Sequence, residues 1–192
     1  MKVGMLSVFQ AGLDQGLSDL DVYRGNLKIC SLVEALGYDS LWAAEHHFTD
    51  YTMCPSVTEF LAYMAGRTER IGLGTAVLIL PWHKDPGRIA VEMVMLDNLS
   101  EGRALMGFGR GIGRVEYDGF GIPMEESRDR FDESAAMIIN GLETGFIEAD
   151  GKFFKQERRE LRPRPFKSFK DRLFMACQSP DSADVVADLG AA

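Results

Sequence analysis

Two adjacent histidines beside a glutamate are the residues of this sequence best suited to acid–base chemistry. They form the run Glu45-His46-His47. An imidazole gives or takes a proton near neutral pH, so the run is a candidate proton-transfer site. A metal site is a weaker interpretation, because adjacent side chains on an extended chain point apart and His83 is the only other histidine. A structural hydrogen-bonding pair of histidines is the alternative that these residues leave open.

A glycine-rich run around Arg110 is the second candidate, and its chemistry is anion binding. It extends from Gly107 to Gly113 with glycine at every second position. Glycines let backbone N–H groups approach a phosphate closely, and a guanidinium binds phosphate with two parallel hydrogen bonds. The run is not a dinucleotide fingerprint, because Ile112 occupies the place of the third glycine. A flexible turn that carries a surface arginine is the alternative interpretation.

The elements that must position these residues alternate between strands and helices. The predicted strands are Val3–Phe9, Ser40–Ala44, Ile71–Leu80, Ala104–Phe108 and Arg172–Cys177. Apolar spacing and capping residues predict helices over Tyr23–Leu36, Ser56–Arg67, Asp85–Leu99, Arg128–Leu142 and Asp181–Leu189. A hairpin is expected around Asp150-Gly151. Five β/α units in succession predict an α/β fold with a parallel sheet, in a single domain over residues 1–192.

Polar residues follow directly after four of the predicted strands. These residues are Glu45-His46-His47, Pro81-Trp82-His83, Gly109-Arg110-Gly111 and Gln178-Ser179. The carboxyl ends of parallel strands lie at one end of the sheet, where active sites form in barrels and in open sheets alike. We therefore expect these residues to converge on one site. Composition and periodicity leave two architectures open, an open doubly wound sheet and an eight-stranded barrel.

Composition excludes several classes of protein. The formal net charge is −8, which argues against a general nucleic-acid binder and favours a small-molecule substrate. No signal peptide and no apolar run of membrane-spanning length is recognised. The three cysteines, Cys30, Cys54 and Cys177, are scattered, so neither a disulfide framework nor a zinc site is expected. A protein of the reducing cytoplasm, without nucleic-acid or membrane partners, is the expectation.

Four motifs in this order resemble the bacterial luciferase-like flavin monooxygenase family. They are E-H-H-F at Glu45–Phe48, G-T-A-V-L-I-L-P at Gly74–Pro81, L-D-x-L-S-x-G-R at Leu96–Arg103 and G-x-G-R-G at Gly107–Gly111. The resemblance covers essentially the whole chain. It implies an eight-stranded TIM-barrel-like (β/α)8 fold, of which this chain holds only the first five β/α units.

The resemblance also implies a chemistry. Family members bind reduced FMN at the carboxyl ends of the strands, add oxygen to the flavin C4a carbon, and use the peroxyflavin to oxidise a small organic substrate, which in luciferases is an aldehyde. A flavin reductase is the expected source of the reduced FMN, and subunits pair into homodimers or heterodimers. Two alternatives stay open: an oxidoreductase that uses the deazaflavin F420 in the same fold, and a non-catalytic flavin-binding or dimerising subunit.

Site residues follow from the positions of the motifs. His46 corresponds to the family's catalytic histidine, a general base near the flavin ring, and Glu45 and His47 are grouped with it. The positions expected to contact the flavin are Ala76, Val77, Gly109, Arg110, Glu116, Arg128, Gln178 and Ser179.

Within that set the resemblance implies distinct roles. Arg110, Arg128 and Ser179 match contacts to the flavin phosphate, and Glu116 matches a carboxylate near the flavin. Ala76-Val77 matches a cis peptide bond beneath the isoalloxazine ring. Gly109 stands where luciferases carry a reactive cysteine, so any role of that thiol is absent here.

Overall fold

A parallel sheet and the helices that follow its strands make up most of the molecule. The computed structural model describes residues 1–10, 16–177, 184, 186–187 and 189–191. In this part of the chain the strands are Gly4–Ser7 (β1), Ser40–Ala43 (β2), Gly72–Thr75 (β3), Leu78–Ile79 (β4), Ala104–Gly109 (β5), Phe146–Asp150 (β6), Lys155–Glu160 (β7) and Leu173–Met175 (β8). The α-helices are Asp19–Cys30 (α1), Val57–Ala65 (α2), Pro86–Leu99 (α3), Arg114–Phe120 (α4) and Ser127–Thr144 (α5).

The order of the strands in the sheet follows their order in the chain. β1 pairs with β2, β2 with β3, β3 and β4 with β5, and β5 with β8, and every one of these pairings is parallel. A doubly wound sheet would place strands on both sides of the first strand. The consecutive order therefore excludes that alternative and confirms the arrangement expected for the first five strands of a barrel.

The third predicted strand is two short strands. β3 ends at Thr75 and β4 begins at Leu78, with a cis peptide bond between Ala76 and Val77, as the resemblance implied. Thr75 Oγ1 donates to the Gly107 carbonyl at 2.6 Å and accepts from the Gly107 N–H at 2.9 Å. A Cβ atom at position 107 would lie 2.1 Å from the Thr75 carbonyl oxygen, so this close approach requires glycine.

Helix boundaries depart from the prediction at two places. α1 ends at Cys30, and turns continue the chain to Gly37, whose φ is +85°. The periodic apolar residues beyond Cys30 therefore lie in turns, although Val33 is still buried in the core. α4 was not predicted, because its seven residues are too few to show a helical period. The predicted fifth helix, 181–189, falls mostly outside the described residues.

Other predicted elements are confirmed with small shifts of their ends. α5 covers Ser127–Thr144, and β6 and β7 form the antiparallel hairpin expected around Asp150-Gly151. The Ser56 side chain caps α2 by accepting from the Glu59 N–H. Among the described residues, no helix combines the length and the apolar character needed to cross a membrane.

Charged residues are buried at the amino-terminal end of the sheet. Asp97 accepts hydrogen bonds from both terminal nitrogens of Arg172, at 2.5 and 3.3 Å, and from the backbone N–H groups of Phe166 and Lys167. Arg103 donates to the backbone carbonyls of Ala65, Thr68, Ile71 and Ser100. The L-D-x-L-S-x-G-R motif thus ties α2, α3 and the starts of β5 and β8 together, away from the predicted site.

Candidate active site

Glu45 is the centre of a buried polar network just beyond the end of β2. Its Oε1 atom accepts from His47 Nε2 at 2.8 Å and from Trp82 Nε1 at 3.1 Å, while Oε2 accepts from the Ile79 N–H at 2.8 Å. His83 Nε2 lies 3.3 Å from Glu45 Oε1, within ion-pair distance but without hydrogen-bond geometry. One carboxylate therefore joins the segments that follow β2 and β4.

The ionisation of Glu45 is controlled by these neighbours. Burial alone would raise the pKa of its carboxyl, but the hydrogen bond from His47 and the close approach of His83 outweigh burial and lower this pKa to about 2. Burial raises the pKa of the adjacent Cys54 thiol to about 12, with the negative charge of Glu45 acting in the same direction. Glu45 is thus an anion at neutral pH, and Cys54 is a neutral thiol.

His46 faces away from this network and is held by a different carboxylate. Its Nδ1 atom lies 2.8 Å from Glu116 Oε1, and the same oxygen accepts from the His47 N–H at 3.0 Å. Glu116 comes from α4 and is buried. Among the hydrogen bonds of the described residues, none uses His46 Nε2, so this nitrogen is available to a ligand.

A cavity of about 370 Å³ opens at the carboxyl ends of β2, β4, β5 and β8, and His46 lies on its wall. We call it the first cavity. Its apolar floor comes from residues at the strand ends: Ala44, Ala76, Val77, Ile79, Met175 and Ala176. Its polar wall comes from the loops: Glu45, His46, Tyr51, Arg110, Glu116, Arg128 and Asp132.

The Arg110 loop is shaped by a glycine and a tyrosine. Gly111 has a φ of +72°, and a Cβ atom there would lie 2.6 Å from Ile79 Cγ2, so both backbone conformation and space require glycine. Tyr117 donates its hydroxyl hydrogen to the Arg110 carbonyl at 2.5 Å. Burial raises the pKa of this phenol to about 12, so it remains a donor at all ordinary pH values.

Two guanidinium groups line the first cavity without a salt bridge to any described residue. Arg110 and Arg128 are both exposed, and neither takes part in an ion pair within the described part of the chain. Asp132 lines the same cavity, and burial raises its carboxyl pKa although the charges of Arg128 and Arg110 oppose that shift. Two arginines with free N–H groups fit a phosphate, and the apolar floor fits an aromatic ring system.

Position 109 is confined by the residues around the cis bond. A Cβ atom at Gly109 would lie 2.9 Å from Val77 Cγ2 and 3.4 Å from Ala176 Cβ. A cysteine at this position would require Val77 to move. The observed packing of Val77 beneath the cavity therefore requires glycine at position 109.

The structure brings most of the predicted site residues to one cavity. Glu45, His46, Ala76, Val77, Arg110, Glu116 and Arg128 line it, whereas His47 and Gly109 stand directly behind its wall. Gln178 and Ser179 lie outside the described residues. Sequence reasoning missed Tyr51 and Asp132, which carry no motif, although Asp132 follows Arg128 by one helical turn. The described residues include no group of His, Cys, Asp and Glu arranged to hold a metal ion.

Comparison with known proteins identifies the family. A sequence model described as luciferase-like monooxygenase matches residues 1–192, and the chain belongs to this family. The alkanal monooxygenase alpha chain of Photorhabdus laumondii subsp. laumondii is 28% identical over 173 residues, which are 90% of this chain and 48% of that protein. The chain thus spans about half the length of this curated relative.

Solved structures agree with the partial barrel. The monooxygenase RslO1 from Streptomyces bottropensis superposes with a TM-score of 0.90 at 29% identity, over all of this chain and 58% of that one. An F420-dependent secondary alcohol dehydrogenase superposes with a TM-score of 0.80 at 16% identity, covering 98% of this chain and 56% of that one. The fold is that of the first part of a TIM-barrel-like luciferase family member, and an F420-dependent enzyme shares it.

Proposed function

We propose that the chain binds reduced FMN in the first cavity and acts in the monooxygenation of a small organic substrate by molecular oxygen. The observation that carries the proposal is the pair of unpaired guanidiniums, Arg110 and Arg128, in the same cavity as His46. Two proteins that this chain resembles, the alkanal monooxygenase alpha chain and RslO1, are monooxygenases by name. When bound, reduced FMN supplies the electrons that activate oxygen.

The residues of the chain have separate tasks in this proposal. Arg110 and Arg128 bind the phosphate, and the apolar floor with Ala76 and Val77 supports the ring system. Glu116 holds Nδ1 of His46, so that Nε2 is the atom that takes or gives a proton in the cavity. Glu45 and His47 are hydrogen-bonded to each other and position the segment that carries His46.

Assembly is part of the same proposal. α2 and α3 expose the large apolar side chains of Tyr63, Met95 and Leu99. Exposed apolar side chains on neighbouring helices favour association, so we propose a homodimer or heterodimer. A separate flavin reductase is the proposed source of reduced FMN. Sedimentation at tens of micromolar checks self-association, and a clean monomer would contradict the homodimer.

Titration of the chain with FMN and with riboflavin tests the cofactor site. Replacing Arg110 with Ala removes a charge-assisted hydrogen bond, and we expect FMN to bind about 10- to 150-fold more weakly. Riboflavin has no phosphate, so its affinity should hardly change. The ratio of the two affinities separates a lost phosphate contact from a general folding defect.

The matched control is Arg114→Ala, because Arg114 is also exposed, lies four residues further on, and does not line the first cavity. It should leave both affinities unchanged. A parallel titration with F420 tests the alternative cofactor. An equal loss of FMN and riboflavin affinity in Arg110→Ala, or no loss, would show that Arg110 is not the phosphate ligand.

A further inference from the structure

Gly113 directly precedes α4 and lies against the carboxylate that holds His46. A Cβ atom at position 113 would overlap Glu116 Oε2 and would lie 2.9 Å from Glu116 Cδ. The favourable separation of two non-bonded carbon atoms is about 3.5–4.0 Å. The backbone of Gly113 has a φ of −79° and a ψ of 100°, which any residue can adopt. Space for the Glu116 side chain, and not backbone conformation, is therefore what requires glycine here.

Glu116 has little freedom to give way to a larger residue. It is 2% exposed, and its Oε1 atom lies 2.8 Å from His46 Nδ1 and accepts from the His47 N–H at 3.0 Å. The Glu116 N–H donates to the Gly113 carbonyl at 3.1 Å, so the two backbones cannot separate without losing this bond. A side chain at position 113 would therefore displace the carboxylate from the two histidines.

Glu116 is not used to cap its own helix. It is the third residue of α4, where a glutamate commonly accepts from the N–H of the N-cap residue. Among the hydrogen bonds of the described residues, its carboxylate makes none with Gly113 and contacts the two histidines instead. α4 therefore presents this carboxylate to the segment that carries His46.

We propose that Gly113 is a positioning residue for His46, because its missing side chain leaves the space from which Glu116 accepts the Nδ1 hydrogen of the imidazole. The hydrogen bond made by one ring nitrogen determines which nitrogen carries the hydrogen. Glu116 in this place keeps the hydrogen on Nδ1 and leaves Nε2 as the basic atom of the ring. The proposal rests on the proposed function only for the use of Nε2 in proton transfer.

Gly119, near the other end of α4, has a close contact of the same kind and serves as a comparison. A Cβ atom there would lie 2.5 Å from Phe48 Cε2 and 2.6 Å from Phe48 Cδ2. Phe48 is 62% exposed, so its ring can turn away into the solvent. We therefore expect alanine to be accommodated at position 119 without any change at Glu116, and not at position 113.

The tautomer of His46 is the readout, because a general loss of stability does not move the hydrogen from one ring nitrogen to the other. Nitrogen chemical shifts of the imidazole distinguish the two tautomers, and they are measured without flavin at about pH 8, where an ordinary histidine is neutral. The chain has three histidines, so the His46 signals can be assigned by substitution. We expect the Nδ1–H form to be the major one in the wild type, the minor one in Gly113→Ala, and the major one in Gly119→Ala.

A second background separates an effect through Glu116 from a direct effect on the backbone. In Glu116→Ala the carboxylate is absent, so the addition of Gly113→Ala should cause no further change in the His46 tautomer. Alanine is a poorer N-cap than glycine in both backgrounds, whereas the overlap with the carboxylate exists in only one. Gly113→Ala should therefore lower the midpoint of urea denaturation more when Glu116 is present. If Gly113→Ala alone does not fold, folding of the double variant would support the overlap, and failure of both would overturn it.

Several results would overturn the proposal. They are a wild-type His46 with its hydrogen on Nε2, an unchanged tautomer in Gly113→Ala, and an equal change in Gly119→Ala. A further tautomer change on adding Gly113→Ala to Glu116→Ala would also overturn it.

The positioning role and the flavin site fail in different ways. FMN binding with a phosphate preference, together with an unchanged His46 tautomer in Gly113→Ala, would reject the positioning role and keep the flavin site. Absence of FMN binding, together with the expected change of tautomer, would reject the flavin site and keep the role of Gly113.

Discussion

Both ends of the parallel sheet bury carboxylates, but the carboxylates meet different partners. At the amino-terminal end, Asp97 pairs with Arg172, a permanent cation whose side chain is 9% exposed. At the carboxyl end, Glu45 and Glu116 meet His47 and His46, whose side chains are 14% and 34% exposed. The first network is closed on all sides, whereas the second ends at a cavity wall.

This difference shows that buried charge alone does not mark a functional site. Asp97 is the most buried of the three carboxylates, yet all of its partners belong to the protein and none lines the first cavity. A guanidinium cannot exchange its proton near neutral pH, but an imidazole can. The carboxyl end therefore combines imidazole groups with an open face, and the network around Asp97 has neither. We therefore assign a structural role to the amino-terminal end of the sheet and the proposed chemistry to the carboxyl end.

The largest expected effect of replacing a carboxylate by an amide is at Asp97. In Asp97→Asn, the amide NH2 faces donors, and Arg172 is left as a buried charge without its counter-ion. We expect a loss of about 3–5 kcal/mol in the free energy of unfolding. Urea denaturation measures it, and Glu160→Gln is the control, because Glu160 pairs with Arg162 and Arg164 at the surface and should lose far less stability. A loss at Asp97 no larger than the loss at Glu160 would contradict a structural role for the motif.

The intermediate effect is expected at Glu45. Glu45→Gln keeps the shape but turns an NH2 group toward the donors of Ile79 or of His47 and Trp82, so we expect a loss of about 1–3 kcal/mol at pH 7. The folded-state pKa of Glu45, about 2, is below the ordinary value of 4.5. The unfolded chain therefore takes up more protons between these values, and the stabilisation is complete above about pH 5 and is lost as the pH falls toward 2.

The measurement for Glu45 is a series of urea denaturations of both proteins from pH 7 down to the lowest pH at which they fold. The difference in free energy between wild type and Glu45→Gln should shrink as the pH falls below about 5. A difference that does not depend on pH would mean that Glu45 is not an anion with a depressed pKa in the folded protein. With that outcome, the proposed difference between the carboxylate networks at the two ends of the sheet would be smaller than the hydrogen bonds indicate.

The sequence predicts the local and periodic features of this fold. Consecutive β/α units, the cap at Ser56, the proline at the first position of α3 and the polar residues after four of the strands were all recognisable, because each depends on neighbouring residues. The prediction that the residues after the strands lie at one end of the sheet required only that the strands be parallel. The choice between barrel and doubly wound sheet was open on composition and periodicity, because strand order is set by contacts between distant segments.

The features that sequence reasoning missed depend on distant contacts. His46 and Glu116 are seventy residues apart, and only the resemblance drew attention to Glu116. The break between β3 and β4 cannot be recognised in the apolar run Ile71–Leu80, because the residues on both sides of the break are buried.

Among the three replacements of a carboxylate by an amide, we expect the smallest loss of stability at Glu116. The amide oxygen of Glu116→Gln can still accept from the His47 N–H, and His46 is exposed enough for water to solvate the ring. We therefore expect a loss of less than about 1 kcal/mol in the free energy of unfolding, measured by the same urea denaturation. Each of the three variants replaces a carboxylate by an amide. The order of their losses in the free energy of unfolding therefore reports how strongly each carboxylate interacts with its partners. If Glu116→Gln destabilises as much as Asp97→Asn, the network at the carboxyl end is also a closed structural one, and the contrast between the two ends fails.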